Sequence, residues 1–336
     1  MRCFMLALAV LCGCSFLVSA DTASPKDDAP SIKASDTSLD FLVGGQLVGR
    51  YHFDRSLAKP HFHPLNGPFG KPVTRAYPMI KDIADEAKDH LHQRAVWFCH
   101  GDVIPEGMTL PRKVPNVVGV DFWAEHANHG WITCVEVGKP QSQGNHAWVV
   151  TRNEWQSPDR EKIMDETRTL HLYDLGAARL LVLDVDLHAS VLPITFGDTK
   201  EGAFGIRVAE TMTEKRKQGG VLENAEGKKT EKECWGAQSA WCDYSGPVEG
   251  KTVGLAILDD PKNPHPAYWH SRGYGLMAAN PFGRGKSGFP AAKGRTDLVK
   301  LALREHLKLR YGLLIHPGDA KEGKVAERYQ EFVKLR

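Results

Sequence analysis

The chain reads as an all-β protein, a large antiparallel β-sandwich with long loops and a C-terminal helix. Three observations predict it. Many short runs of alternating apolar and polar residues are separated by Gly, Pro, Asn and Asp turns. Strand-helix-strand alternation is nearly absent, and only the last segment carries clear helical spacing.

At the start, Met1-Arg2, an apolar run from Phe4 to Val18 and small residues before Asp21 predict a secretory signal peptide over residues 1–20. Leu11-Cys12-Gly13-Cys14 also loosely resembles a lipobox, which would anchor the chain through a lipid on Cys14. Either route predicts a periplasmic or extracellular protein. Residues 24–37 are rich in Asp, Lys, Ser and Pro, so residues 21–37 read as a flexible tether and residues 38–336 as one sandwich domain.

Strand candidates follow at residues 41–53, 94–99, 130–137 and 147–152. The clearest is 179–188, where Leu181, Leu183, Val185 and Leu187 share one face. Residues 204–209, 252–258 and 307–313 complete the series. Val325, Tyr329 and Phe332 recur at helical spacing and predict a terminal helix packed on the sheets. Two weaker expectations are a short amphipathic helix marked by Ile80, Ile83, Ala84, Ala87 and Leu91, and an exposed charged loop over residues 214–232.

Charge limits the partners. With 43 basic and 41 acidic residues and no dense Lys/Arg block, no polyanion-binding stripe is present, which argues against nucleic acid. No later stretch reaches the ~18 uncharged apolar residues that span a bilayer. Oligomeric state is not encoded in any pattern found. Beyond the leader, Cys99, Cys134, Cys234 and Cys242 lack Cys-x2-Cys spacing and read as structural or free, with Cys234 and Cys242 able to close a hairpin.

The densest chemistry is His90-Leu91-His92-Gln93-Arg94, followed by His100 and Asp121. On a strand His90, His92 and Arg94 would share one face. Glu201 and Arg207 lie in a Gly-rich stretch with Asp198. Trp241, Asp243 and Tyr244 place rings beside a carboxylate, which suits a sugar. His270 and Arg272 would again share a strand face. Each cluster also has a plain structural reading, as the wet face of a sheet, a surface hairpin or an aromatic core.

Together these blocks resemble the PmoA family, often called methane oxygenase PmoA, secreted bacterial proteins of poorly established activity. The resemblance rests on His63-Pro64-Leu65, Asp89-His90-x-His92-x-Arg94, Trp97-Phe98-x-His100-Gly101-Asp102, Val120-Asp121-Phe122-Trp123, the run Phe196 to Gly202, Trp241-x-Asp243-Tyr244-Ser245-Gly246-Pro247 and Trp269-His270-x-Arg272-x-Tyr274-Gly275. Gln93 stands where the pattern has another histidine, and residues 104–119 look inserted. A methane monooxygenase subunit of that name would be a multi-helix membrane protein, which this pattern is not. The resemblance implies a secreted β-rich protein from bacteria that degrade complex glycans.

The expectation is therefore a carbohydrate-active enzyme using His and carboxylate acid-base chemistry on a glycan or small sugar, by hydrolysis, elimination or epimerisation. His92, His100, Glu201 and His270 are the catalytic candidates. His90, Arg94, Asp121, Arg207, Trp241, Asp243, Tyr244 and Arg272 are the binding candidates. Two alternatives stay open: a non-catalytic glycan-binding sandwich, and a metalloenzyme holding a divalent metal on His90, His92 and His100. No other cofactor is indicated.

Overall fold

A computed structural model describes residues 29–335. The expected signal peptide, Cys14 and residues 21–28 of the expected tether lie outside these residues. The strands are β1 (Ser31–Ala34), β2 (Ser38–Val43), β3 (Gln46–His52), β4 (His61–Leu65), β5 (Val96–His100), β6 (Val103–Pro105), β7 (Trp131–Val137), β8 (Gln141–Gln143), β9 (His146–Gln156) and β10 (Lys162–Leu175). They continue as β11 (Ala178–His188), β12 (Ile194–Phe196), β13 (Gly202–Arg207), β14 (Val221–Asn224), β15 (Trp241–Val248), β16 (Lys251–Asp259), β17 (Tyr268–Ser271), β18 (Leu276–Asn280), β19 (Val299–Leu301) and β20 (His306–Pro317). Two α-helices are present among the described residues, α1 (Thr230–Cys234) and α2 (Val325–Lys334).

The predicted all-β sandwich is what forms. One antiparallel sheet has the order β1-β2-β3-β4-β5-β13-β18-β17, and the other β14-β15-β16-β20-β11-β10-β9-β7 with β8 on β9. A small third sheet joins β19, β12 and β6. Between the large sheets, Phe98 and Phe204 of the first meet Trp155 and Tyr311 of the second. The C-terminal helix α2 lays Val325 and Phe332 against Leu180, Ala256 and Leu314 on the outside of the second sheet.

Several expectations change in detail. Residues 41–53 form a hairpin rather than one strand, because Gly44 and Gly45 both take positive φ and turn the chain between β2 and β3. The tether ends earlier than Thr37, since β1 pairs with β2 and Ser142 Oγ donates to Pro30 O at 2.9 Å. Residues 80–91 form no helix, and Ile80, Ile83 and Leu91 are exposed. Residues 214–232 are an ordered connection containing β14, rather than an open loop.

Candidate active site

His52, His61, Trp97, Gly205, Ala278 and His270 are successive register partners across β3, β4, β5, β13, β18 and β17. The neighbouring row, Phe98, Phe204, Ala279 and Trp269, points into the core. Because side chains alternate along a strand, the row ending at His270 lies on the outer face of the first sheet. Gly205 and Ala278 keep its middle low, and a Cβ on Gly205 would stand 2.8 Å from the Trp97 indole.

Loops build walls on this floor. Lys59 is fully buried, and its Nζ donates to Trp123 O at 2.9 Å and Glu125 Oε1 at 3.0 Å. Arg94 grips the same Glu125 through Nε at 2.8 Å and Nη2 at 2.6 Å. Burial opposes ionisation of Glu125, but Lys59 and Arg94 outweigh it and bring the carboxyl down to about 2. Asp121 Oδ1 accepts the Trp123 and Ala124 N–H groups. This clamp sets the Trp123 ring nearly parallel to His270 at 6.1 Å, while Trp235 meets His270 edge-on at 5.0 Å. Arg272 lies over Trp235 at 4.0 Å and is held by Glu231 at 2.8 Å.

His270 Nδ1 lies 2.8 Å from Lys200 O, which can only accept, so the proton sits on Nδ1 and Nε2 keeps its lone pair. Burial, with Arg272 and Lys200 adding to it, pushes His270 down to about 3, so the ring is neutral at pH 7. Glu201 Oε2 lies 3.9 Å from His270 Nδ1, and its other oxygen meets Lys200 Nζ at 3.2 Å. On the adjoining wall His90 Nδ1 faces Asp89 Oδ2 at 3.1 Å, and the His90 ring stacks on Tyr274 at 5.2 Å. His92 meets His90 edge-on at 5.6 Å, and burial, with Lys59 and His90, pushes it down to about 3. The His90 charge acts on His270 and the Glu201 charge acts on Tyr274, so the walls adjoin in one shallow recess, where Glu201, His90 and Arg272 are part-exposed and His270 itself is buried.

His90, His92, Arg94, Glu201, His270 and Arg272 therefore gather on one face. The reason differs from the expected strand alternation. Residues 89–94 form a turn, with His90 at φ 45° and Gln93 N bonded to His90 O, and β5 begins only at Val96. Arg272 likewise follows the end of β17.

Other candidates sit elsewhere. His100 is buried against Phe196 and Phe282 with Nε2 on Gly197 O at 2.8 Å, so it neither reaches the recess nor completes a metal set with His90 and His92. Trp241 and Asp243 face the outside of the second sheet under the C-terminal segment, where Asp243 binds His316 at 2.8 Å. Tyr244 is buried, its hydroxyl bonded to Glu214 N and to the Arg272 and Gly273 carbonyls. A central strand such as β15 is covered on both faces, so Trp241 and Tyr244 are not a sugar platform. Arg207 lies behind the recess, donating to Asp89 at 2.9 Å and packing over Tyr274 at 4.5 Å. Asp121 and Arg94 hold the wall, not the floor. Among the described residues, no group of three His, Cys, Asp or Glu side chains is placed to hold a metal ion.

Lys59, Glu125 and Trp235 escape sequence reasoning. A single lysine and a single glutamate 66 residues apart carry no pattern that announces their contact. Trp235 lies outside the Trp241-Asp243-Tyr244 cluster in which the sequence places its rings.

Residues 38–330 match a family described as a family of unknown function, DUF6807. No curated protein matches the sequence. Among solved structures the chain is similar to a galactose mutarotase-like protein from Clostridium acetobutylicum, with 10% identity, a TM-score of 0.38, and coverage of 85% of this chain and 95% of that one.

Proposed function

We propose that this chain, which belongs to that family of unknown function, is a secreted enzyme that moves protons on a sugar or modified sugar in the recess beside His270. The observation that carries the reading is the pairing of Glu201 with the tautomer-fixed, neutral His270 at 3.9 Å, under the Trp123 and Trp235 rings. A neutral imidazole orients a hydroxyl but has no proton to release as imidazolium near pH 7, which removes His92 as the acid. Glu201, part-exposed beside His270, is the group to take the proton. His90, oriented by Asp89 as an imidazole is by a carboxylate, is the group to return it.

Other groups shape the transition state. Arg272 supplies a fixed positive charge at the rim, and part-exposed Trp235 gives apolar surface for ring C–H faces, with buried Trp123 behind His270. The motifs that resemble the PmoA family supply Asp89, His90, His92, Glu201, His270, Arg272 and Tyr274, which supports treating them as one working set. A non-catalytic lectin would need no such array of paired acids and imidazoles.

The test is turnover. The purified chain is incubated with neutral, oxidised and acidic mono- and oligosaccharides, and ¹H NMR distinguishes new reducing ends, unsaturated products and epimers. At least one sugar class is expected to be consumed, with loss in Glu201→Gln by roughly 10²-fold or more. Binding without turnover in every class would leave a glycan-binding module and sink the enzyme.

A further inference from the structure

The outer face of the second sheet carries a groove of about 390 Å³, on the side of the molecule opposite the His270 recess. Its floor is two register rows, Thr169-Asp184-Arg310 and Thr167-Asp186-Lys308, across β10, β11 and β20. Helix α2 covers the neighbouring part of this face, and the loop over residues 260–263 walls the far side. Acids and bases balance on the floor: Arg310 Nη1 reaches both oxygens of Asp184 at 2.7 and 2.6 Å, and Lys308 lies 3.8 Å from Asp186. A floor so neutralised has no charge to attract a polyion. The Thr167 and Thr169 hydroxyls make no hydrogen bond among the described residues.

Beside the groove, in the next register row on the same face, an aromatic cluster led by His171 and Trp148 has a fixed hydrogen-bond polarity. His171 Nε2 lies 3.0 Å from Asp184 Oδ2, which as a carboxylate only accepts, so that nitrogen carries the proton. His171 Nδ1 must then accept from His146 Nε2–H at 2.9 Å. The chain leaves His146 Nδ1 with a lone pair and no partner among the described residues. His146 is locked in place, stacked on Tyr173 at 4.1 Å and on Trp148 at 4.7 Å. Among the described residues, no second ring packs on half-exposed Trp148, next to exposed Val150.

We infer that this groove is a second saccharide-binding site, for a neutral polysaccharide chain, with a sugar ring on Trp148 and sugar hydroxyls donating to His146 Nδ1 and pairing with Thr167 and Thr169. Hydroxyl-rich, uncharged ligands match an electroneutral floor of fixed acceptors and free hydroxyls beside one indole face. The site is independent of the proposed catalysis, and it would tether the enzyme to a polymer.

The experiment is native affinity electrophoresis of the full chain in gels containing a soluble β-glucan, an arabinoxylan, a galactomannan or a polygalacturonate. Retardation by at least one neutral polymer is expected, weakened about tenfold or more in Trp148→Ala and His146→Ala and unchanged in Glu201→Gln. Thr169→Arg fills the groove from a part-exposed strand position and gives the same readout if the aromatic variants do not fold. No retardation by any neutral polymer, retardation by polygalacturonate alone, or retardation lost in Glu201→Gln but kept in Trp148→Ala and Thr169→Arg would each overturn the inference. None of these outcomes bears on turnover at Glu201, which is measured separately.

Discussion

The Tyr51 hydroxyl accepts a 2.8 Å hydrogen bond from Arg168 Nη1, joining the two large sheets through the middle of the core. Arg168 is ion-paired with Glu166, whose other oxygen accepts Trp155 Nε1–H at 2.6 Å, and both charged groups are buried. Removing one partner of a buried pair strands the other charge. Glu166→Ala should cost about 3–5 kcal/mol and Tyr51→Phe about 1 kcal/mol by urea unfolding. A Glu166→Ala cost below that of Tyr51→Phe would contradict this.

His316 and Asp243 make a second buried pair at 2.8 Å. Burial pulls the imidazole pKa down, but the Asp243 carboxylate outweighs it and raises the folded value. The stabilisation is thus complete below the unfolded value of about 6.5 and is lost as pH rises through the raised folded value. His316→Gln should therefore destabilise more at pH 6 than at pH 9. Equal losses at both values would refute the pair.

His61, His92, His100 and His270 act in the opposite sense. Burial holds all four at about 3 to 4, so the unfolded chain takes up protons first. Their contribution is complete above about pH 6.5 and is lost as pH falls toward the folded values. Because these four, joined by His63 and His146 at about 4, outnumber the one opposing histidine, unfolding free energy should fall between pH 7 and pH 5. A flat or rising profile over that interval would show that these rings are not buried as neutral groups.

Among the described residues, Glu125 is the only carboxylate bonded to both Lys59 and Arg94. Glu125→Gln should cost about 3 kcal/mol and loosen the 121–125 wall, so that Trp123 no longer covers His270. Stability can be read by urea and the indole by the near-ultraviolet circular dichroism band. An unchanged band would mean that the wall is held by Asp121 alone.

Much of the fold was legible because a half-buried strand writes its burial as alternation. β11 shows it over residues 183–188 and β20 over residues 306–311, and α2 shows helical spacing. β10 was missed, although its burial alternates, because Thr167 and Thr169 on its open face and Glu166 and Arg168 on its core face make the string look polar throughout. The recess was legible in its residue types, since His90, His92, Glu201 and His270 were all named. Its geometry was not, because a positive-φ turn at His90 and a clamp between Lys59 and Glu125 depend on the rest of the fold.

The most direct test of the central claim is the initial rate of sugar consumption by wild type, Glu201→Gln and His90→Gln, followed by ¹H NMR on the sugar that wild type turns over. Both variants should remain folded, bind that sugar with similar affinity, and lose roughly 10²-fold or more in kcat. Wild-type kcat in folded Glu201→Gln and His90→Gln would place the chemistry elsewhere and end the acid-base assignment.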